Sequence, residues 1–223
     1  MDSVRPDARN GQEGPASRVG VIDKSVEILA ALAAGPLDLA GLQQATGLPR
    51  ATAHRLAVAL ESHHLVRRDG LGRFCLGFEL IRLGRAAADA FPLAELATPA
   101  LADLRDRTGE SVQLYVLEDD ARRCVVSLRS GHALQWLVPV GALLPLEVGS
   151  AGKVLSGAAD LAESVEEREP GVASVSAAVR DRSGAVVAAV SISGPVERLT
   201  RRPAAACGDA VRAAAGAVSA ALR

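Results

Sequence analysis

Along the first third of the chain, apolar residues recur at helical spacing in three short segments, and beyond about residue 110 they alternate as in strands. Between Asp23 and Ala34 the apolar positions are Val26, Leu29, Ala30 and Leu32 or Ala33; Asp23 is placed to cap the helix and Gly35-Pro36 to stop it. A second helix is predicted over Leu39 to Thr46. Gly47 supplies the positive φ of a tight helix-to-helix turn, and Pro49 suits the first turn of a third helix, where its missing N–H costs nothing. From Pro49 to Glu61, Ala53, Leu56, Ala57 and Leu60 fall on one side, while Ala51, His54, Arg55 and Val58 fall largely on the other. Residues His64 to Asp69 and Gly72 to Leu76 then read as two strands joined through Gly70-Leu71-Gly72.

Downstream, Glu79 to Ala90 is an amphipathic helix broken by Phe91-Pro92. Leu93 to Thr108 is helical, with Leu96, Leu101 and Leu104 on one side and Gly109 at its end. Strands are expected at Ser111 to Glu118, Arg122 to Ser130 and Leu134 to Val140, followed by an extended connection from Leu143 to Val148. Gly149-Ser150-Ala151-Gly152 leads into a short helix containing Lys153. Val172 to Arg180 and Ala185 to Ser193 form a second hairpin around Arg182-Ser183-Gly184, and Pro203 to Leu222 is a terminal Ala-rich helix. Helices at both ends of an antiparallel sheet define an α+β, sensor-like domain. The N-terminal Met1 to Ser17 has no apolar pattern and reads as a disordered tail.

Charge sharpens this picture locally. The net charge of the 223-residue chain is −1, so no global basic field draws it to nucleic acid. Between Arg50 and Arg73, however, only Glu61 and Asp69 oppose five arginines and three histidines. Cys75, Cys124 and Cys207 are odd in number and far apart, which signals neither a disulfide framework nor a zinc site. The N-terminus lacks the apolar core of a signal peptide and no apolar run reaches membrane-spanning length, so a cytoplasmic protein is expected. His54, His63, His64 and His132 lack the Ser–Asp or paired-carboxylate company that catalysis needs, and Gly149-Ser150-Ala151-Gly152 departs from the Gly-x-Ser-x-Gly nucleophile turn. No enzyme, metal or cofactor is expected.

Helix, Gly turn, Pro-opened helix and Arg-bearing hairpin in that order describe a helix-turn-helix followed by a wing, and hence a double-stranded DNA partner. The third helix is long enough, at about 20 Å, to lie in a major groove. The candidate DNA-contacting residues are Pro49, Arg50, Ala51, Thr52, His54 and Arg55, with Arg67, Arg68 and Arg73 as a phosphate clamp on the wing. One short helix reads few base pairs, so a homodimer or homotetramer on a pseudo-palindromic operator is expected, with Glu79 to Ala90 as a subunit contact.

Three sets of residues resemble the IclR family of transcriptional regulators: Val21-Ile22-Asp23-Lys24, Gly47 to Leu56, and Gly72 to Gly77. The likeness continues through Val140-Gly141, Gly149 to Leu155, Gly171 to Ser174 and Val190 to Pro195. Glu167 to Ser176 and Glu197 to Thr200 are similar to an actinobacterial branch associated with amino-acid metabolism, including leucine biosynthesis. The resemblance implies a winged helix-turn-helix domain over residues 18–78, a linker helix over 79–92 and a GAF-like effector domain over 93–223, after the tail at 1–17. It also implies a transcription regulator, a repressor by family type, whose effector is a small organic acid or amino-acid-like metabolite. Carried over by position, Ser150, Ala151, Ser174, Ser191 and Ser193 would line the effector site. Residues Ser156 to Glu167 are shorter than the corresponding family segment, which implies a trimmed effector domain. A ligand-blind dimer, in which the C-terminal domain serves assembly alone, is the alternative.

Overall fold

The structure is a computed structural model that describes residues 19–89 and 92–222; the predicted tail and the break at Phe91 lie outside the described residues. The chain divides into two units, Met1–Ala90 and Phe91–Arg223.

In the first unit, α1 (Gly20–Ala33) begins earlier than expected, so Asp23 lies in its first turn and does not cap it. The helix turns Ile28 and Leu32 into the core, one turn apart, and leaves Val26 exposed. α2 (Leu39–Thr46) is capped by Asp38, whose carboxylate accepts from the Gly41 N–H at 2.7 Å. Gly47 ends it at φ 69°, and buried Leu48 plugs the turn. Pro49 is the N-cap of α3 (Arg50–Ser62) at φ −57°, ψ 142°, one position ahead of the first helical turn where it was expected. α3 buries Ala53, Leu56, Ala57 and Leu60 against Ile28, Leu32, Leu42 and Phe74. β1 (Val66–Arg68) and β2 (Phe74–Leu76) pair antiparallel, and Leu37 joins Phe74 through two backbone hydrogen bonds of 2.9 and 2.8 Å. A Cβ on Gly77 would collide with the His64 carbonyl, so this exit from the wing requires glycine. α4 (Glu79–Asp89) follows and buries none of its residues.

The second unit opens with α5 (Leu93–Thr108), which buries Leu93, Ala97, Leu101 and Leu104 while Leu96 is exposed. Strands β3 (Ser111–Glu118), β4 (Ala121–Leu128) and β5 (Leu143–Pro145) precede the short α6 (Ser150–Leu155). Then come β6 (Leu161–Val165), β7 (Val172–Arg180), β8 (Val186–Pro195), α7 (Val196–Leu199) and α8 (Pro203–Ala221). The six strands form an antiparallel sheet in the order β5-β4-β3-β8-β7-β6. α5 and α8 cover one face, where Val112, Leu114, Val175, Ala177, Val190 and Ile192 meet Leu101, Leu104, Val211 and Val218. α6 lies on the other face, packing Ala151, Val154 and Leu155 on Tyr115, Cys124 and Ala189.

Two expectations are corrected. Leu134 to Val140 forms no strand: Pro139 has no N–H to give a ladder, and the place beside β4 is taken by β5. Conversely, Leu161–Val165 within the short 156–167 segment is a strand, paired with β7 from Leu161↔Ala177 to Val165↔Ala173. Its alternation of buried Ala162 and Ser164 with more exposed neighbours is too brief to stand out by periodicity alone.

Candidate functional site

The exposed face of α3 presents Arg50, Ala51, His54 and Arg55 to solvent, with Thr52 half-buried at its edge. A shallow concavity of about 500 Å³ is lined by Leu39, Arg50, Ala51 and His54. Arg50 and Arg55 form no ion pair among the described residues, so their full charge is available to an external anion. The three wing arginines differ from one another. Arg68 donates from Nε to Glu61 at 3.3 Å and from Nη1 to the Gly72 carbonyl, and stacks 4.2 Å from the Phe74 ring centroid. Arg73 is bound to Asp69 at 2.7–2.8 Å, and Asp69 also accepts from the Leu71 and Arg73 N–H groups, which braces the tip. Arg67 has no carboxylate partner among the described residues and lies 5.0 Å from the Phe78 ring centroid.

In the second unit the serines expected from the sequence come together through strand register. Ser111 (β3), Ser193 (β8), Ser174 (β7) and Ser164 (β6) are successive cross-strand partners, and Gln113, Ser191, Ser176 and Ala162 form the next row. Side chains two apart on a strand share a face, so both rows lie on the side opposite the α5–α8 layer. Ser150 Oγ, at the start of α6, shares hydrogen bonds with Ser174 Oγ at 2.7 Å and Ser176 Oγ at 2.8 Å. Ser193 Oγ donates to Gln113 Oε1 at 2.9 Å. Ser191 and Ser193 are 2% and 6% exposed, so both hydroxyls are buried and not at a solvated strand end. Ala151 turns into the apolar cluster with Tyr115 and Val154, away from the hydroxyls. Sequence reasoning missed Ser111, Gln113, Ser164 and Ser176. Their signal was the small polar residue at every second position in strands otherwise rich in Val and Ala.

The polar rows contain no ionisable side chain; charge lies around them. Glu167 accepts from the Gly149 N–H at 3.2 Å and from Lys153 Nζ at 2.5 Å, so the first N–H before α6 already has a carboxylate of its own. Burial works to raise the Glu167 pKa, but the bonds from Lys153, Gly149 and Ser164 outweigh it and hold the carboxyl below its usual range. Arg122, 3% exposed, donates from Nη1 to the carbonyls of Pro145 at 2.6 Å and Val148 at 2.5 Å, tying the loop before α6 to β4. A Cβ on Gly149 would lie 3.1 Å from Arg122 Nη2, and one on Gly152 2.7 Å from Nη1, so both glycines make room for the guanidinium. At the end of the rows Arg198 donates to buried Glu110 at 2.5 and 2.8 Å and to the Leu134 carbonyl at 3.0 Å, fixing the 129–142 loop. Burial pushes the Cys124 thiol up to about 12, which makes it a packing group and not a nucleophile. Among the described residues no cluster of His, Cys, Asp and Glu could hold a metal ion, and no helix is long and apolar enough to cross a membrane.

Comparison with known proteins gives a consistent result. The family described as IclR helix-turn-helix domain matches residues 21–70, and Bacterial transcriptional regulator IclR C-terminal matches 85–164 and 158–220. The chain is 31% identical to the Glycerol operon regulatory protein of Streptomyces coelicolor, over 83% of this chain and 89% of that one. It is 25% identical to the Transcriptional repressor IclR of Escherichia coli, over 74% and 76%. Among solved structures it is similar to an IclR homolog complexed with 4-hydroxybenzoate from Microbacterium hydrocarbonoxydans, with TM-score 0.74, 19% identity and coverage of 91% and 99%.

Proposed function

The chain belongs to the IclR family of bacterial transcriptional regulators, and from that premise we propose how its two units divide the work. It is a DNA-binding transcriptional regulator, as its family is, and not an enzyme. The proposal is that α3 enters the major groove with Arg50, Ala51, Thr52, His54 and Arg55 toward the bases, behind the N-cap Pro49. The wing, with Arg67, Arg68 and Arg73, would then follow the phosphate backbone, Arg67 as its principal contact because Arg68 and Arg73 are held by Glu61 and Asp69. The observation that carries this reading is the clean separation on α3, where four buried apolar residues anchor the helix and two arginines with no ion pair among the described residues stand on its outer face. Arg55→Ala should cost about 1–3 kcal/mol on the best operator and relax base choice. An unchanged gel-shift titration with folded variant protein would refute the groove assignment.

The operator is proposed to be pseudo-palindromic and the protein a homodimer or homotetramer. Support comes from α4 and the residue before it: exposed Phe78 and Ile81 line a shallow depression with Ala86, Arg82, Arg85 and Asp89, an apolar strip with a charged rim that suits a second copy. In the C-terminal domain, the proposed effector site is the pair of polar rows beneath α6, with Ser150, Ser174, Ser191 and Ser193 from the family resemblance. Ala151 contributes backbone there, since its side chain faces the apolar cluster. A small organic acid or amino-acid-like metabolite is the ligand class, and genes of amino-acid or related metabolism are the regulon. The 4-hydroxybenzoate held by a structural relative shows that a small aromatic acid suits that protein. The effector domain is proposed to be trimmed at Ser156 to Glu167, a reading supported by the C-terminal family match falling into two overlapping pieces.

One observation favours the ligand-blind alternative: Glu167 already serves the Gly149 N–H that an effector carboxylate would use. If no metabolite changes operator affinity or melting temperature, that alternative holds and the C-terminal domain is an assembly module.

A further inference from the structure

Among the described residues, neither Arg122 nor Arg168 forms an ion pair with a carboxylate. Arg122 is buried on β4; its Nη1 is satisfied by two carbonyls, while among the described residues the buried Nε has no acceptor and Nη2 makes no hydrogen bond. Its guanidinium carbon is 5.6 Å from the Tyr115 ring centroid. Arg168, on the turn between β6 and β7, lies 5.1 Å from the Trp136 centroid and has no ion pair among the described residues. Tyr115 and Trp136 belong to the same apolar cluster under α6, so the two cations stack on neighbouring aromatic walls. They are close enough to repel, and burial together with the Arg168 charge pulls the Arg122 pKa down. Glu147 is near enough to act on Arg122 electrostatically but forms no ion pair with it. Buried charges in proteins are ordinarily paired or hold an ion, and here two other carboxylates are engaged elsewhere: Glu167 with Lys153 and Gly149, Glu110 with Arg198.

We propose that Arg122 and Arg168 form an oxyanion subsite at the Tyr115–Trp136 end of the polar rows, taking the carboxylate or phosphate of a small metabolite. The guanidinium fork offers planar donors matched to either group. The hydroxyls of Ser150, Ser176 and Ser191 would then read the uncharged remainder of the ligand, so the ligand is an oxygen-rich anion and not a cation. This rests on the effector-site reading above but shifts the anion-binding role from the backbone before α6 to two side chains.

Trp136 is the single tryptophan of the chain and reports directly on Arg168. Its emission and the melting temperature are followed while the full-length protein is titrated with potassium phosphate or potassium lactate at constant ionic strength. Potassium chloride and glycerol serve as charged and neutral controls. The expected result is a saturable change with phosphate, lactate or both and none with chloride, weakened at least tenfold in Arg122→Gln and in Arg168→Gln. A response to phosphate alone assigns a phosphorylated ligand, and to lactate alone a carboxylate. Arg168 is half-buried on a turn, so Arg168→Gln carries the test if Arg122→Gln does not fold. Absence of a saturable response to both salts, or parent-like affinity in Arg168→Gln, overturns the subsite. If glycerol alone binds and alters operator affinity, the effector reading survives without the subsite. If an oxyanion binds through Arg168 yet leaves operator affinity unchanged, the subsite stands and the effector reading falls.

Discussion

Arg67, Arg68 and Arg73 are equivalent as a sequence pattern, but the structure makes them unequal as phosphate ligands, and salt dependence should expose the difference. Each phosphate neutralised by a side chain contributes about −0.9 to the slope of log K against log salt. Arg67 has no carboxylate partner among the described residues, so Arg67→Ala should lower the slope by about 0.9 per subunit. Between about 50 and about 200 mM salt this corresponds to roughly a 3.5-fold difference per subunit, and roughly 12-fold for a dimer in which both wings bind. Arg68 is bound to Glu61, and the pair as a unit carries no net charge. The double variant Arg68→Ala/Glu61→Ala therefore removes no net positive charge from the wing and should leave the slope within about 0.3 of the parent. Fluorescence-anisotropy titration of an operator duplex at four or five salt concentrations measures all three slopes. If the double variant loses as much slope as Arg67→Ala, the ion pair opens on DNA and Arg68 touches phosphate, which would refute the distinction drawn from the free wing.

Other outcomes follow from the same geometry. Ser191→Ala should weaken effector response several-fold, since a hydrogen bond to the uncharged part of the ligand is worth about 0.5–1.5 kcal/mol, and should leave effector-free operator binding unchanged; operator titration with and without ligand measures both. Ile81→Asp on the unburied face of α4 should shift the protein toward monomer in light scattering and weaken binding to a palindromic duplex far more than to a half-site. The Cys124 thiol rises from its ordinary 9.0 to about 12 on folding because of burial, so the native state keeps a proton that the unfolded chain releases. Its contribution is fully present below pH 9 and is lost as pH rises toward 12, by up to about 1.4 kcal/mol per pH unit. Burial raises the Tyr115 hydroxyl in the same sense. Melting temperatures should thus decline above pH 9, less steeply in Cys124→Ala; a parallel decline in parent and variant would contradict the assignment.

The helix-turn-helix was legible in the sequence because every signal that builds it is local. Gly47 admits the positive φ that the turn requires, Pro49 opens a helix, and Ala53, Leu56, Ala57 and Leu60 share a face by spacing alone. The hairpins at Ser111–Leu128 and Val172–Pro195 were likewise visible in alternation and turn residues. Such signals say nothing about strand order or long-range register. Whether the Leu134–Val140 run becomes a strand depends on what already occupies the edge of β4, and the Leu161–Val165 strand exists because β7 offers it a partner. The same limit divides the proposed ligand site. Ser174, Ser191 and Ser193 could be named beforehand, but only pairing across β6, β7, β8 and β3 sets them in rows with Ser111, Gln113, Ser164 and Ser176 and brings Ser150 against them. Nor does a linear chain reveal which charges will be compensated. That Glu167 meets Gly149 and Lys153, that Arg68 meets Glu61, and that Arg122 and Arg168 meet aromatic rings and form no ion pair among the described residues is settled by tertiary packing, since burial and distance, not order along the chain, decide how strongly charges act on one another.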